Sequence, residues 1–121
     1  MNQNSFAMPF IHLQTNMQLS QDKKQQLLND LTDLIAKDLN KPSRFIMARC
    51  SDDQDMMFAD STDPLVFIEL RSIRLPGGQT ANLSQSLTAF VDHNLGVKGN
   101  RIFINFMGFE PRMWGHNGST F

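Results

Sequence analysis

The feature that most constrains this chain is a hydrophobic stripe that occurs twice. Leu27, Leu31, Leu34, Ile35 and Leu39 follow one another at helical spacing, with Lys and Asp on the opposite face. Leu83, Leu87, Phe90, Val91 and Leu95 repeat the stripe about 56 residues downstream. The flanks match as well. Ser20 is suited to cap the first helix, with Asp22 in its first turn, and Asn40 suits a left-handed cap ahead of Pro42. Gly96 falls where Asn40 stood. Strand-like segments flank each helix: Phe10 to Thr15 and Phe45 to Cys50 around the first, Leu65 to Ser72 and Arg101 to Met107 around the second. Arg101-Ile102-Phe103-Ile104 answers Arg44-Phe45-Ile46-Met47 with a slip of one residue. Between the halves, the acidic stretch Ser51 to Pro64 reads as a loop broken at Met56-Met57-Phe58, and Pro76-Gly77-Gly78 punctuates the second loop. The chain is a duplicated β-α-β unit.

Duplication dictates an α/β (α+β) architecture. Each helix joins parallel strands through a right-handed crossover, and two helices cover one face of a four-stranded mixed sheet. Leu65-Val66-Phe67-Ile68 and Arg101 to Met107 are apolar at consecutive positions, the pattern of strands buried on both faces. A 121-residue chain has no further segment to cover the open face, so other copies of itself are expected there.

Composition narrows the partners. A net charge of −1 gives no electrostatic case for nucleic acid or an anionic membrane. No apolar run approaches the roughly 20 residues that span a bilayer. The lone cysteine, Cys50, cannot form an internal disulfide, and Met1 to Ala7 lack the charge and apolar block of a signal peptide. A cytoplasmic address is therefore expected, with non-classical release left open. His12, His93 and His116 share no metal-ligand spacing, and Asp52, Asp53, Asp55, Asp60 and Asp63 form no EF-hand pattern. No metal is expected; the aspartates read as a solvated loop, and His12 as a structural residue on a strand.

One short segment carries the chemistry. Met8-Pro9-Phe10-Ile11 looks like a second start site at the head of a strand. Residues 1–8 are then an extension, and 9–121 the domain. With Met8 removed, Pro9 carries a free secondary amine, a base on a rigid ring whose pKa burial or a nearby cation lowers. With Met8 in place, the same nitrogen is an amide without basicity.

That opening resembles the macrophage migration inhibitory factor family of the tautomerase superfamily. So do Asn40-Lys41-Pro42, Ser72-Ile73, Arg101-Ile102-Phe103-Ile104-Asn105-Phe106 and the ending Asn117-Gly118-Ser119-Thr120-Phe121. The similarity covers nearly all of Pro9 to Phe121 in order. It implies a homotrimer of wrapped sheets, with an active site at each subunit interface and no cofactor. It also implies that the N-terminal proline shuttles a proton in keto-enol tautomerisation of phenylpyruvate-like α-keto acids. A non-catalytic, cytokine-like trimer is the alternative. By the resemblance Pro9 is the general base, Lys41 holds a substrate carboxylate or enolate oxygen, and the Ile73 backbone helps bind substrate. Phe103 and Asn105 come from the neighbouring subunit. Phe10 and Phe45 adjoin the pocket, and Met113, Trp114, His116 and Phe121 form its wall.

Several positions depart from the family pattern. Phe103 and Phe45 stand where relatives carry tyrosine, and the chain has no tyrosine, so no phenol can donate to a substrate. His116 replaces a tryptophan of some relatives and makes the rim more polar. The family's paired cysteines, expected near Asp63 to Phe67, are missing, which disfavours thiol-disulfide chemistry. Arg71 and Arg74 lie near the pocket segment. An arginine there would suit a third reaction, hydration or dehalogenation of an unsaturated acid.

Overall fold

A computed structural model of the chain describes residues 8–121; residues 1–7 of the expected extension lie outside the described residues. The order is β1 (Phe10–Thr15), α1 (Gln21–Leu39), β2 (Met47–Ser51), β3 (Val66–Ile73), α2 (Thr80–Leu95) and β4 (Ile102–Phe109), then a small hairpin of β5 (Gly115–His116) and β6 (Ser119–Thr120). The main sheet runs β2-β1-β3-β4. Within each half the two strands are parallel, and β1 meets β3 antiparallel. This is the duplicated mixed sheet that the two stripes require.

Both helices pack on one face. Ile11 and Leu13 of β1, and Val66, Ile68 and Leu70 of β3, are fully buried together with Leu31 and Ile35 of α1 and Leu87 and Val91 of α2. Each such side chain contributes about 1.5–3 kcal/mol by leaving water. Ser20 Oγ accepts from Lys23 N–H at 3.1 Å, capping α1. Asn40 and Gly96 close α1 and α2 in the left-handed region, at φ 53° and 68°. Gln26 Nε2 donates to Asn94 Oδ1 at 2.9 Å, linking the helices.

Two expectations about the second strand of each unit need correction. Phe45 does not open a strand. Phe45 N–H donates to Pro42 O and Ile46 N–H to Ser43 O, winding Ser43–Phe45 into a 3₁₀ turn. Pairing starts only at Met47, whose N–H donates to Pro9 O at 2.9 Å. The second unit has its own turn, Gly99–Arg101, about 56 residues on, so the halves are in phase without a slip. Arg101 therefore answers Phe45, not Arg44.

The open face also differs from the expectation of strands apolar on both sides. Cross-strand register builds three rows: Met47, Phe10, Arg71 and Met107; Arg49, His12, Glu69 and Asn105; Ser51, Gln14, Phe67 and Phe103. The middle is polar and internally bonded. Gln14 Nε2 donates to Glu69 Oε1 at 2.9 Å, Arg71 pairs with Glu69 at 3.2 Å, and His12 shares a 2.8 Å hydrogen bond with Ser51. Apolar side chains occupy the ends, where Phe103 and Met107 are exposed. Pleating explains the mismatch: consecutive apolar residues split between faces, and only alternate positions count.

Candidate active site

Pro9 is buried one residue ahead of β1. Because β1 opposes β3 and β4, its start lies beside their ends. Phe10 is level with Arg71 and Met107, and β3 continues to Ile73, which is 4% exposed and paired with Phe109. The same end receives α1 and its exit. Lys41 N–H donates to Ala36 O at 2.9 Å, completing the helix cap, and the Met47 to Pro9 hydrogen bond follows six residues later. Lys41 is half-buried beyond that cap, and Phe45 lies under the Arg44 guanidinium at 4.6 Å.

The C-terminal hairpin folds over this end. Trp114 meets Phe109 edge-on with centroids 5.6 Å apart, and Phe121 N–H donates to Trp114 O at 3.2 Å. His116 stacks on Phe121, 6.2 Å and 3° from parallel, so its imidazole extends the aromatic wall. Met113 is 67% exposed and stands outside that stack. A cavity of about 700 Å³ opens here, lined by Arg74, Leu75, residues 108–112 and Phe121; Pro9, Lys41 and Ile73 are not among its lining residues. Arg74 enters it from a left-handed backbone, φ 53°, with its N–H donating to Phe109 O at 2.8 Å. Such strain in a non-glycine residue collects at functional sites. Arg71, by contrast, belongs to the Glu69 network on the open face.

Two of the expected site residues are not at this end of their own chain. Phe103 sits four residues before Met107 and two strands from β1, on the order of 16 Å from Phe10. Asn105 is two residues nearer in the same row as Glu69. One chain thus carries Pro9, Lys41, Ile73, Trp114 and Phe121 at one end, and Phe103 and Asn105 away from them.

Phe109 and Phe58 escaped sequence reasoning. Phe109 was legible in principle as the β4 partner of Ile73; Phe58 lies in a loop without periodicity. Phe58 meets Phe103 edge-on, with centroids 4.6 Å apart at 66°. Among the described residues no three His, Cys, Asp or Glu side chains group as metal ligands, and no helix is long and apolar enough to cross a membrane.

The fold is that of the tautomerase superfamily: two in-phase β-α-β units with a buried proline at the junction of their sheet ends. The macrophage migration inhibitory factor family model matches residues 8–121, and the chain belongs to that family. It is 41% identical to macrophage migration inhibitory factor of Xenopus tropicalis over 96 residues, 78% of this chain and 84% of that protein. Against the Xenopus laevis protein the identity is 35%, over 94% and 99% of the two chains. The crystal structure of the homologue from Prochlorococcus marinus superposes with a TM-score of 0.86 at 33% identity, covering 93% of this chain and 98% of that one.

Proposed function

We propose that this protein is a cofactor-independent keto-enol tautomerase of phenylpyruvate-like α-keto acids, acting as a homotrimer with Pro9 as general base. The domain is residues 9–121, and the reaction requires Pro9 to be its first residue. The observation that carries the reading is the buried position of Pro9 at the sheet end, at the start of the family match. The separation of Phe103 and Asn105 from Pro9 within one chain supports a composite pocket. So do the exposed Phe103, Met107 and Met47 on the open face.

The chemistry is proton-balanced. The free amine of Pro9 removes the enol hydroxyl proton, the C=C electrons take a proton at carbon from the resulting ammonium, and a ketone forms. An ordinary α-amino group titrates at about 7.7–8.0, and burial lowers that value by disfavouring the charged form. Lys41 receives the carboxylate, and the Phe109, Trp114 and Phe121 wall takes the ring. While Met8 remains attached, the nitrogen is an amide, and that form fits the non-catalytic binding alternative.

The test compares phenylpyruvate tautomerisation by the chain starting at Met1 and the chain starting at Pro9. Only the latter should turn over substrate, with a rate rising with pH through the amine pKa, and Pro9→Gly in that background should retain a part. Equal turnover by the Met1 form, verified intact by mass, would remove Pro9 from the mechanism. Sedimentation should show a species near three times 13.8 kDa, and a clean monomer would refute the composite pocket.

A further inference from the structure

Arg101 ends the turn before β4 and directs its whole guanidinium at the loop before β3. Nε donates to Pro64 O at 3.0 Å, Nη1 to Phe58 O at 3.1 Å, and Nη2 to Ser61 O and Asp63 O, both at 3.1 Å. Four carbonyls of one short loop thus converge on a single planar cation, whose carbon lies 5.7 Å from the Phe58 ring centre. Asn16 holds the loop from the other side. Its Nδ2 donates to Thr62 O and Asp63 O, and its Oδ1 accepts from Leu65 N–H at 2.9 Å.

A loop rich in aspartate has no apolar reason to hold an aromatic ring in a fixed place. Here the clamp supplies one. Phe58 and Ser61 exchange two backbone hydrogen bonds of 3.1 Å, and Phe58 is delivered edge-on to Phe103. Both rings remain 42% exposed although their backbones are fixed. Together they present two exposed phenyl rings, with the Arg101 guanidinium beside that of Phe58.

We propose that Phe58 is a specificity-determining residue for ring-bearing substrates and that Arg101 is the positioning residue that sets it. The Phe58–Phe103 pair then forms the apolar wall offered to the pocket of an adjacent subunit. The inference rests on the composite-pocket reading above. The ligand group it fits is an aryl ring without a hydroxyl, held edge to face by two phenyl rings. A lysine cannot replace Arg101, because an ammonium has three donors and no planar fork to span four carbonyls.

The experiment uses the chain starting at Pro9 and four variants: Phe58→Ala, Arg101→Met, the two combined, and Phe58→Tyr. It measures kcat and KM for phenylpyruvate and for an α-keto acid with a short alkyl side chain. It also measures binding of 3-phenylpropanoate by Trp114 fluorescence, and sedimentation. Phe58→Ala should lower the aryl-over-alkyl ratio of kcat/KM about five- to tenfold, chiefly through KM, within the range an aromatic pair contributes. Arg101→Met should move the ratio the same way with Phe58 intact, and adding Phe58→Ala to it should cost nothing more. Phe58→Tyr, which keeps the ring, should retain the ratio. An unchanged ratio in Phe58→Ala overturns the inference, and an unchanged ratio in Arg101→Met overturns the positioning role; if Arg101→Met fails to assemble, Arg101→Lys, which should lower the ratio likewise, decides that role. Should the parent turn over neither substrate yet bind 3-phenylpropanoate, the tautomerase reading falls and the affinity of Phe58→Ala decides the wall. No binding of the aryl acid by the parent overturns both.

Discussion

Replacing Thr15 by valine removes an oxygen without opening a cavity, and it should destabilise the protein by about 2 kcal/mol. Thr15 is fully buried at the end of β1. Its Oγ1 donates to Leu65 O at 2.9 Å and accepts from Met17 N–H at 3.2 Å, fastening the start of β3 to the exit of β1. Valine has the same shape, so packing is kept and the loss is polar. A buried group left without its partner costs about 1–3 kcal/mol, and Leu65 O, in the buried one of the two bonds, is the group so left. Thr15→Ser provides the opposite perturbation: it keeps the hydroxyl and loses one methyl, costing about 1 kcal/mol. The order parent, serine, valine is therefore expected. Urea unfolding at one protomer concentration, analysed with an unchanged m-value, measures it. At this chain length the valine variant should melt about 8 °C lower. A valine variant within about 0.5 kcal/mol of the parent, below the ordinary net worth of a hydrogen bond, would show that the Thr15 hydroxyl contributes nothing.

Burial first, then Arg49, holds the His12 imidazole below its ordinary 6.5, with Glu69 opposing and Arg71 adding to the depression. The unfolded chain therefore takes up this proton first, so the contribution is intact above 6.5 and lost as pH falls through the lower folded value. Urea unfolding on either side of that window should show a larger loss in the parent than in His12→Asn; equal losses would refute it. Burial chiefly, with Asp52 adding and Lys24 opposing, pushes the Cys50 thiol up from 9.0. Native protein at neutral pH should react with a disulfide reagent more slowly than urea-unfolded protein, and equal rates would contradict the half-buried placement. In the form starting at Pro9, Phe103→Tyr should favour ring-hydroxylated over unsubstituted substrates by about tenfold at most, the worth of one net hydrogen bond. Equal effects on both substrates would place Phe103 outside the pocket.

The helix stripes, the caps at Ser20, Asn40 and Gly96, and the duplication were legible because each is a local requirement of the backbone. A left-handed cap needs Asn or Gly wherever the helix ends, and an amphipathic helix needs its apolar residues at helical spacing. The reading of Pro9, Lys41 and Ile73 as a set rests on resemblance alone. Nothing local distinguishes a basic proline nitrogen from a proline that opens a strand.

The rest was decided by tertiary structure. Whether Phe103 and Phe10 share a pocket within one chain depends on strand order and direction, and the antiparallel joining of β1 to β3 separates them. The alternating faces placed Glu69 opposite His12 and between it and Asn105, making a polar row across a face that the apolar runs suggest is buried. The turn at Ser43–Phe45 delayed β2, because Phe45 and Ile46 bond backward to Pro42 and Ser43 instead of across to β1. Arg101 shows the limit most clearly. In the sequence it is a cation before a strand; in the fold it gathers carbonyls up to 43 residues away, and long-range hydrogen bonds to backbone oxygen leave no trace in residue type.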